Sequence, residues 1–131
     1  MGQARRAGRA ISGATTGNES GTFNFNGGLL RAGADNATWM QGLTAANVQA
    51  GGAIVDSNGF NVTIAQPLLD ASGGLTKQGT GTLTLTGTNT SSGTTNVNAG
   101  VLALQNGAAI ADTAGVVNVA LGATLQLLNN E

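Results

Sequence analysis

The sequence predicts an all-β fold, a solenoid of stacked parallel strands with about 21 residues per turn, and three observations carry that prediction. The first is alternation: from Thr82 to Thr86, Leu83 and Leu85 fall on one pleat face and the threonines on the other. No amphipathic helix can use a period of two. The second is recurrence. The pairs Val62 and Ile64, Leu83 and Leu85, Leu102 and Leu104, and Leu125 and Leu127 follow one another at steps of 21, 19 and 23 residues. The third is composition, since 22 glycines and many asparagines supply the positive-φ corners that such short strands need.

The physics behind the repeat is simple. A strand pair with one apolar face is not stable alone, but coils stacked every ~4.8 Å bury all their apolar faces along one axis. Stacking also sets Asn over Asn and Thr over Thr, which satisfies polar groups without charge. Six such turns would make a rod roughly 30 Å long. A second series supports the period: Asn47-Val48-Gln49-Ala50-Gly51, Asn96-Val97-Asn98-Ala99-Gly100 and Asn118-Val119-Ala120-Leu121-Gly122 are separated by 49 and 22 residues. The longer gap reads as two turns. Phe23 and Phe25, 39 residues before Val62 and Ile64, read as two further steps back.

Taken in order, residues 1–20 are expected to be a flexible tail, rich in Ala, Gly, Arg, Ser and Thr with a single Ile11, and residues 21–131 the solenoid domain. Phe23 and Phe25 alternate with polar residues in a first strand, Asn26-Gly27-Gly28 makes a turn, and Leu29 to Ala32 a second strand. The segment from Asn36 to Ala46 breaks the alternation. Trp39, Leu43 and Ala46 fall at helical spacing behind a capping Asn36, which predicts one helical turn or a packed loop, with Trp39 plugging an end or corner of the core. Pro67 cannot donate a ladder hydrogen bond and so marks a corner. Near Gly100 the buried phase passes from odd positions (Val97, Ala99) to even ones (Leu102, Leu104), a switch that a glycine corner allows. One extra residue between Gly122 and Leu125 calls for a bulge or longer corner in the next turn.

Composition also narrows function. Only 8% of the 131 residues are charged, against roughly 25% in an average soluble domain, and the net charge is −1. Arg5, Arg6 and Arg9 stand apart at the amino end and aromatics make up 3%, so the basic, stacking surface of a nucleic-acid binder is missing. Without cysteine or histidine there is no disulfide framework, thiol nucleophile, histidine-based triad or ordinary zinc site. No apolar run approaches the roughly 18 residues of a membrane helix, and Met1 to Ala10 lacks the apolar region of an export signal. No cofactor is expected.

From Gly73 to Leu104 the chain resembles the autotransporter-associated β-strand repeat, or passenger-associated transport repeat, of bacterial autotransporter-like surface proteins. The residues that carry the resemblance are Gly74-Leu75-Thr76-Lys77, then Gly81-Thr82-Leu83-Thr84-Leu85-Thr86-Gly87, Asn89-Thr90, Gly93-Thr94-Thr95 and Asn98-Ala99-Gly100-Val101-Leu102. Phe23 to Asp70 resembles sequence that precedes such repeats. An aromatic usually follows the family's Asn-Thr pair, and Ser91 stands there instead. The resemblance implies a right-handed parallel β-helix within a secreted or surface-displayed passenger, serving extension, display or export. No β-barrel translocator signature accompanies it.

Enzymatic β-helices need grouped carboxylates or carboxylates beside a cation. Among Glu19, Asp35, Asp56, Asp70, Asp112 and Glu131, only Asp35 and Asp56 are spaced to stack on adjacent turns, with Arg31 able to join them. The competing reading, that each acid bonds to the backbone of its own turn, is favoured. No catalytic, cofactor or metal residue is therefore assigned, and the chain is expected to be non-enzymatic. A carbohydrate-binding or carbohydrate-cleaving β-helix, or an adhesin module, is the alternative. Thr82, Thr84 and Thr86 suggest a flat threonine ladder, but Val101 and Ala103, then Thr124 and Gln126, interrupt it. The solenoid ends, poor in charge, are expected to self-associate.

Overall fold

The computed structural model describes residues 11–12, 21–70, 73–90, 93–105 and 116–128. They form strands and, among the described residues, no helix. A short β1 (Ile11–Ser12) precedes a first coil of β2 (Thr22–Phe25), β3 (Leu29–Arg31) and β4 (Asn36–Gln41). The second coil is β5 (Ala45–Val48), β6 (Ala53–Asp56) and β7 (Val62–Ile64), and the third is β8 (Leu68–Asp70), β9 (Leu75–Gln78) and β10 (Thr82–Leu85). Then come β11 (Thr95–Val97) and β12 (Val101–Leu104), and finally β13 (Val117–Val119) and β14 (Thr124–Leu127).

The strands stack into three parallel sheets, one per side of the coil. Sheet A runs β1-β4-β7-β10-β12-β14, sheet C runs β3-β6-β9-β11-β13, and sheet B runs β2-β5-β8. Each coil thus visits B, C and A in turn, and the architecture is a β-solenoid. On side B the stack continues beyond β8 without a regular strand, through the Thr90 amide donating to the Leu68 carbonyl at 3.0 Å. Six strands occur along sheet A alone. Among the described residues complete coils number about four, against the six turns expected; the early steps are long, with Leu29 opposite Ile54 and Met40 opposite Ile64, 25 and 24 residues on.

Register confirms the apolar repeat residue by residue. Val62, Leu83, Leu102 and Leu125 form one column of sheet A, and Ile64, Leu85, Leu104 and Leu127 the next. With Met40, Val48, Val55 and Val97, the members of these columns up to Leu104 make one axial core. Two assignments from the sequence change. Phe23 and Phe25 lie on sheet B, opposite Ala46 and Val48, and not in the column of Val62 and Ile64. Asn47 and Val48 also belong to sheet B, whereas Asn96 and Val97 pair with Asn118 and Val119 on sheet C. The 49-residue gap therefore joins two different sides, and a short motif with one asparagine and one valine fits either.

The expected helical turn is a strand, β4. Between Asn36, opposite Val62, and Met40, opposite Ile64, it carries four residue steps where β7 uses two. That wide bulge lets the consecutive Trp39 and Met40 both turn inward. Trp39 is accordingly part of the axial core, in its first coil and not at a corner. Asn36 Oδ1 does accept from the Thr38 backbone N–H at 2.9 Å, as a helix cap would, but the bond serves a bulged strand.

The corners follow the sequence more closely. Gly27, Gly100 and Gly122 have positive φ, and Pro67 stands between β7 and β8. At Gly100 (φ +66°) a Cβ would lie 2.5 Å from the Gly81 carbonyl oxygen, so both the conformation and the spacing exclude a side chain. The extra residue after Val119 enters a longer corner, closed by the Ala123 N–H donating to the Ala120 carbonyl at 3.0 Å.

Candidate functional site

Polar side chains concentrate where β3, β6 and β9 end and the chain turns toward sheet A. Leu30, Val55, Lys77, Val97 and Val119 form one inward column of sheet C. The sole lysine of the sequence therefore occupies a core position, and it is fully buried. Its Nζ reaches the corner and donates to three carbonyls, Gln78 at 2.8 Å, Gly79 at 2.6 Å and Ala99 at 3.1 Å. Three acceptors match the three N–H bonds of an ammonium and would leave a neutral amine one donor short. Burial pulls the Lys77 pKa below its ordinary value, and the Asp56 carboxylate opposes that shift.

Asp56 in turn is held from the preceding coil. Arg31 and Asp56 are register partners, and Arg31 Nε donates to Asp56 Oδ2 at 3.0 Å, while Asp56 Oδ1 accepts from the Asn58 N–H at 2.8 Å. The result is a charge sequence across three coils, Arg31, Asp56 and Lys77. Because the Arg31 side chain is 56% exposed, the outer ion pair contributes little stability, and Asp56 serves mainly to balance the buried cation.

The spacing would allow Asp35 to stack on Asp56, but Asp56 is the register partner of Arg31 and accepts from the Asn58 N–H of its own turn, as the favoured reading expects, whereas Asp35 bonds the next coil. Asp35 Oδ1 instead accepts from the Asn61 N–H at 2.8 Å. Asp70 closes β8 opposite Val48, and Glu19, Asp112 and Glu131 lie outside the described residues. A shallow depression on the outer face of sheet A, lined by Asp35, Asn36, Asn61, Thr63 and Thr84 among others, has no aromatic in its lining. Thr84 stands opposite Thr63 and Ala103, so the threonine row stops after two coils. Among the described residues there is no group of three or more acidic, histidine or cysteine residues able to hold a metal ion, and no helix is long and apolar enough to cross a membrane.

Side-chain amides do the remaining polar work. Leu68, which follows Pro67, donates its N–H to Asn89 Oδ1 at 2.8 Å, so the Asn of the Asn89-Thr90 motif fastens one coil to the next at side B. Gln66 brackets the backbone of Leu43 in the same way, accepting from its N–H and donating to its carbonyl. Outward amides form ladders between Asn24 and Asn47 and between Asn96 and Asn118. Sequence reasoning did not single out Lys77. The signal was present, since Lys77 lies two residues from Leu75 on the same pleat face and is spaced one turn from Val55 and Val97.

This set of features defines a parallel β-solenoid whose polar groups hold coils together. Residues 75–104 match the sequence model of the Passenger-associated-transport-repeat, so that stretch is similar to this repeat. It runs from β9 through β12, somewhat more than one passage around the axis, and contains both Lys77 and its acceptor Ala99. No curated protein and no solved structure matches the chain.

Proposed function

We propose that the chain is a structural segment of an autotransporter-like passenger, located outside the cell or on its surface, that extends, displays or aids export of what it is joined to. The observation that carries this reading is the transport repeat at residues 75–104 seated inside a continuous axial core. Supporting it, several charged side chains among the described residues are used internally: Lys77 bonds three carbonyls, Asp56 bonds Arg31, and Asp35 bonds a neighbouring coil. A hydrolytic pair of carboxylates has no counterpart in that arrangement. The segment is non-enzymatic on this reading, and it associates with like segments through its solenoid ends.

Surface display tests the proposal. The full chain, placed between an export signal and a membrane translocator and carrying an epitope at its amino end, should present that epitope on intact bacteria. Removing residues 75–104 should lower presentation several-fold, and unchanged presentation would overturn the export role. Incubation with a panel of polysaccharides should release no reducing ends, with or without Asp35→Asn and Asp56→Asn. Cleavage that this double substitution abolishes would make the chain an enzyme.

A further inference from the structure

Asparagine followed by glycine readily loses its side-chain amide, because glycine has no Cβ to hinder its own backbone nitrogen. That nitrogen attacks the asparagine Cγ, the bond from Cγ to the side-chain nitrogen breaks, and ammonia leaves with the proton that the attacking N–H gave up. Water then opens the cyclic imide to aspartate or isoaspartate. The sequence has three such pairs, Asn26-Gly27, Asn58-Gly59 and Asn106-Gly107, and the third lies outside the described residues.

The two described pairs sit at corners with both asparagines exposed, so solvent reaches them. What closes the reaction is the stack. The Gly59 N–H donates to the Thr80 carbonyl of the next coil at 2.9 Å, and the Gly27 N–H to the Gly52 carbonyl at 2.9 Å. A nitrogen whose proton is held by a carbonyl is slow to give it to solvent and attack its neighbour. Asn58 is fixed further. It has a φ of +53° and Gly59 one of +86°, and the Phe60 N–H closes the tight turn on the Ser57 carbonyl at 2.8 Å.

The aspartate products differ in fit. Asn26 uses its Oδ1, which accepts from the Gly51 N–H at 2.8 Å, and a carboxylate keeps that acceptor. Asn58 uses its Nδ2, which donates to the Ala32 carbonyl at 3.1 Å, while its backbone N–H donates to Asp56 Oδ1. A carboxylate there would set acceptor against acceptor and a second negative charge beside Asp56. Arg31 is already engaged by Asp56, and Lys77 by three carbonyls. Isoaspartate adds a methylene to the main chain and displaces the glycine N–H, so at position 58 neither product fits.

We propose that Asn58 is a deamidation site gated by coil stacking. Its amide is kept while the corner between β6 and β7 rests on the next coil and is lost when that corner stands open. The acid formed does not fit back, so time spent unstacked is recorded as a permanent loss of stability.

The full chain, incubated at mildly alkaline pH in native buffer and in denaturing guanidinium chloride, tests this. Trypsin cleavage after Arg9, Arg31 and Lys77 puts the three pairs in separate peptides, residues 10–31, 32–77 and 78–131, so mass spectrometry reads each rate independently. Asn58 should lose its amide at least about tenfold more slowly in native buffer than in denaturant. Equal rates would overturn the gating. Asn58→Asp should lower the urea midpoint by more than Asn26→Asp does, and a loss at Asn58 no larger than that at Asn26 would overturn the misfit. If Asn58→Asp fails to fold, wild-type chain aged in denaturant and refolded gives the comparison. Its modified 32–77 peptide should be enriched in the fraction that a protease digests first, and an even distribution would overturn the misfit.

Discussion

The Nζ of Lys77 donates to the carbonyl of Ala99, 22 residues ahead and one coil along the stack, at 3.1 Å, so one buried cation fastens two turns of the solenoid. Replacing Lys77 by Met keeps most of the apolar stem, one atom shorter, but removes the three donors from the carbonyls of Gln78, Gly79 and Ala99. Buried acceptors left unsatisfied cost about 1–3 kcal/mol each when solvent cannot replace the donor. A net loss of about 2–4 kcal/mol is expected, read as a lower urea midpoint. Unchanged stability would mean that the cage contributes nothing net.

The same residue sets an alkaline pH dependence that can be assigned without ambiguity. The chain has no His, Cys or Tyr and a single lysine, so above the range of the α-amino group only Lys77 titrates before the arginines. The Asp56 carboxylate acts on it and opposes the effect of burial, and Arg31 is bonded to Asp56. Because burial lowers the folded pKa beneath the ordinary 10.5, the unfolded chain binds more protons between those two values. Stability therefore rises with pH across that window. Lys77→Met should abolish the slope, and a wild-type urea midpoint that falls from pH 8 to 10.5 would contradict the sign.

Chemical protection follows from the same burial. With Lys77 fully buried, an amine-reactive reagent should label the folded chain at the α-amino group and leave Lys77 untouched. Mass spectrometry after proteolysis reads the site. Labelling of Lys77 at the rate of an unfolded control would show that the corner opens freely.

Much of this architecture was legible because its determinants are local and periodic. Leu83, flanked by threonines, states its own pleat face, and steps of 21, 19 and 23 residues place it between Val62 and Leu102. What misled was whatever left that period. The bulge in β4 turns Trp39 and Met40 inward together and so breaks the alternation, and Trp39, Leu43 and Ala46, which belong to β4, the following corner and β5, happen to fall at helical spacing. Sides of the coil were equally hard to tell apart, since Asn47-Val48 on sheet B and Asn96-Val97 on sheet C present the same alternation. Lys77 was overlooked because charge argues for the surface. Its burial depends on three carbonyls, one of them a coil away.

Corner glycines should be intolerant where two coils touch. A Cβ on Gly74 would lie 2.2 Å from the Thr94 carbonyl oxygen, and one on Gly100 would meet the Gly81 carbonyl while holding a positive φ. Gly122 also has positive φ but open space around it. Gly100→Ala should therefore cost more than Gly122→Ala, which carries only the conformational penalty of about 1 kcal/mol. Equal losses in urea denaturation would show that spacing at the corner is not limiting.

The final prediction concerns how evenly the core is held along the axis. Leu83 and Leu127 both face inward on sheet A, but Leu83 is fully buried between two coils whereas Leu127 is 62% exposed on the last strand. Truncating a buried leucine removes transfer free energy and leaves a cavity, a loss of about 2–5 kcal/mol, and neighbours stacked above and below Leu83 have little freedom to collapse into it. Leu127→Ala removes a side chain that is already largely exposed, and should cost under about 0.5 kcal/mol at monomer concentrations. The single tryptophan, Trp39, is buried in the first coil, far along the chain from either site, and reports on whether the stack melts as one unit. Coupled unfolding moves the Trp39 transition to lower urea in Leu83→Ala by the full loss. A Trp39 midpoint unmoved by Leu83→Ala, with strand signal lost earlier in circular dichroism, would instead mean that the coils unfold separately, as weakly coupled repeats do.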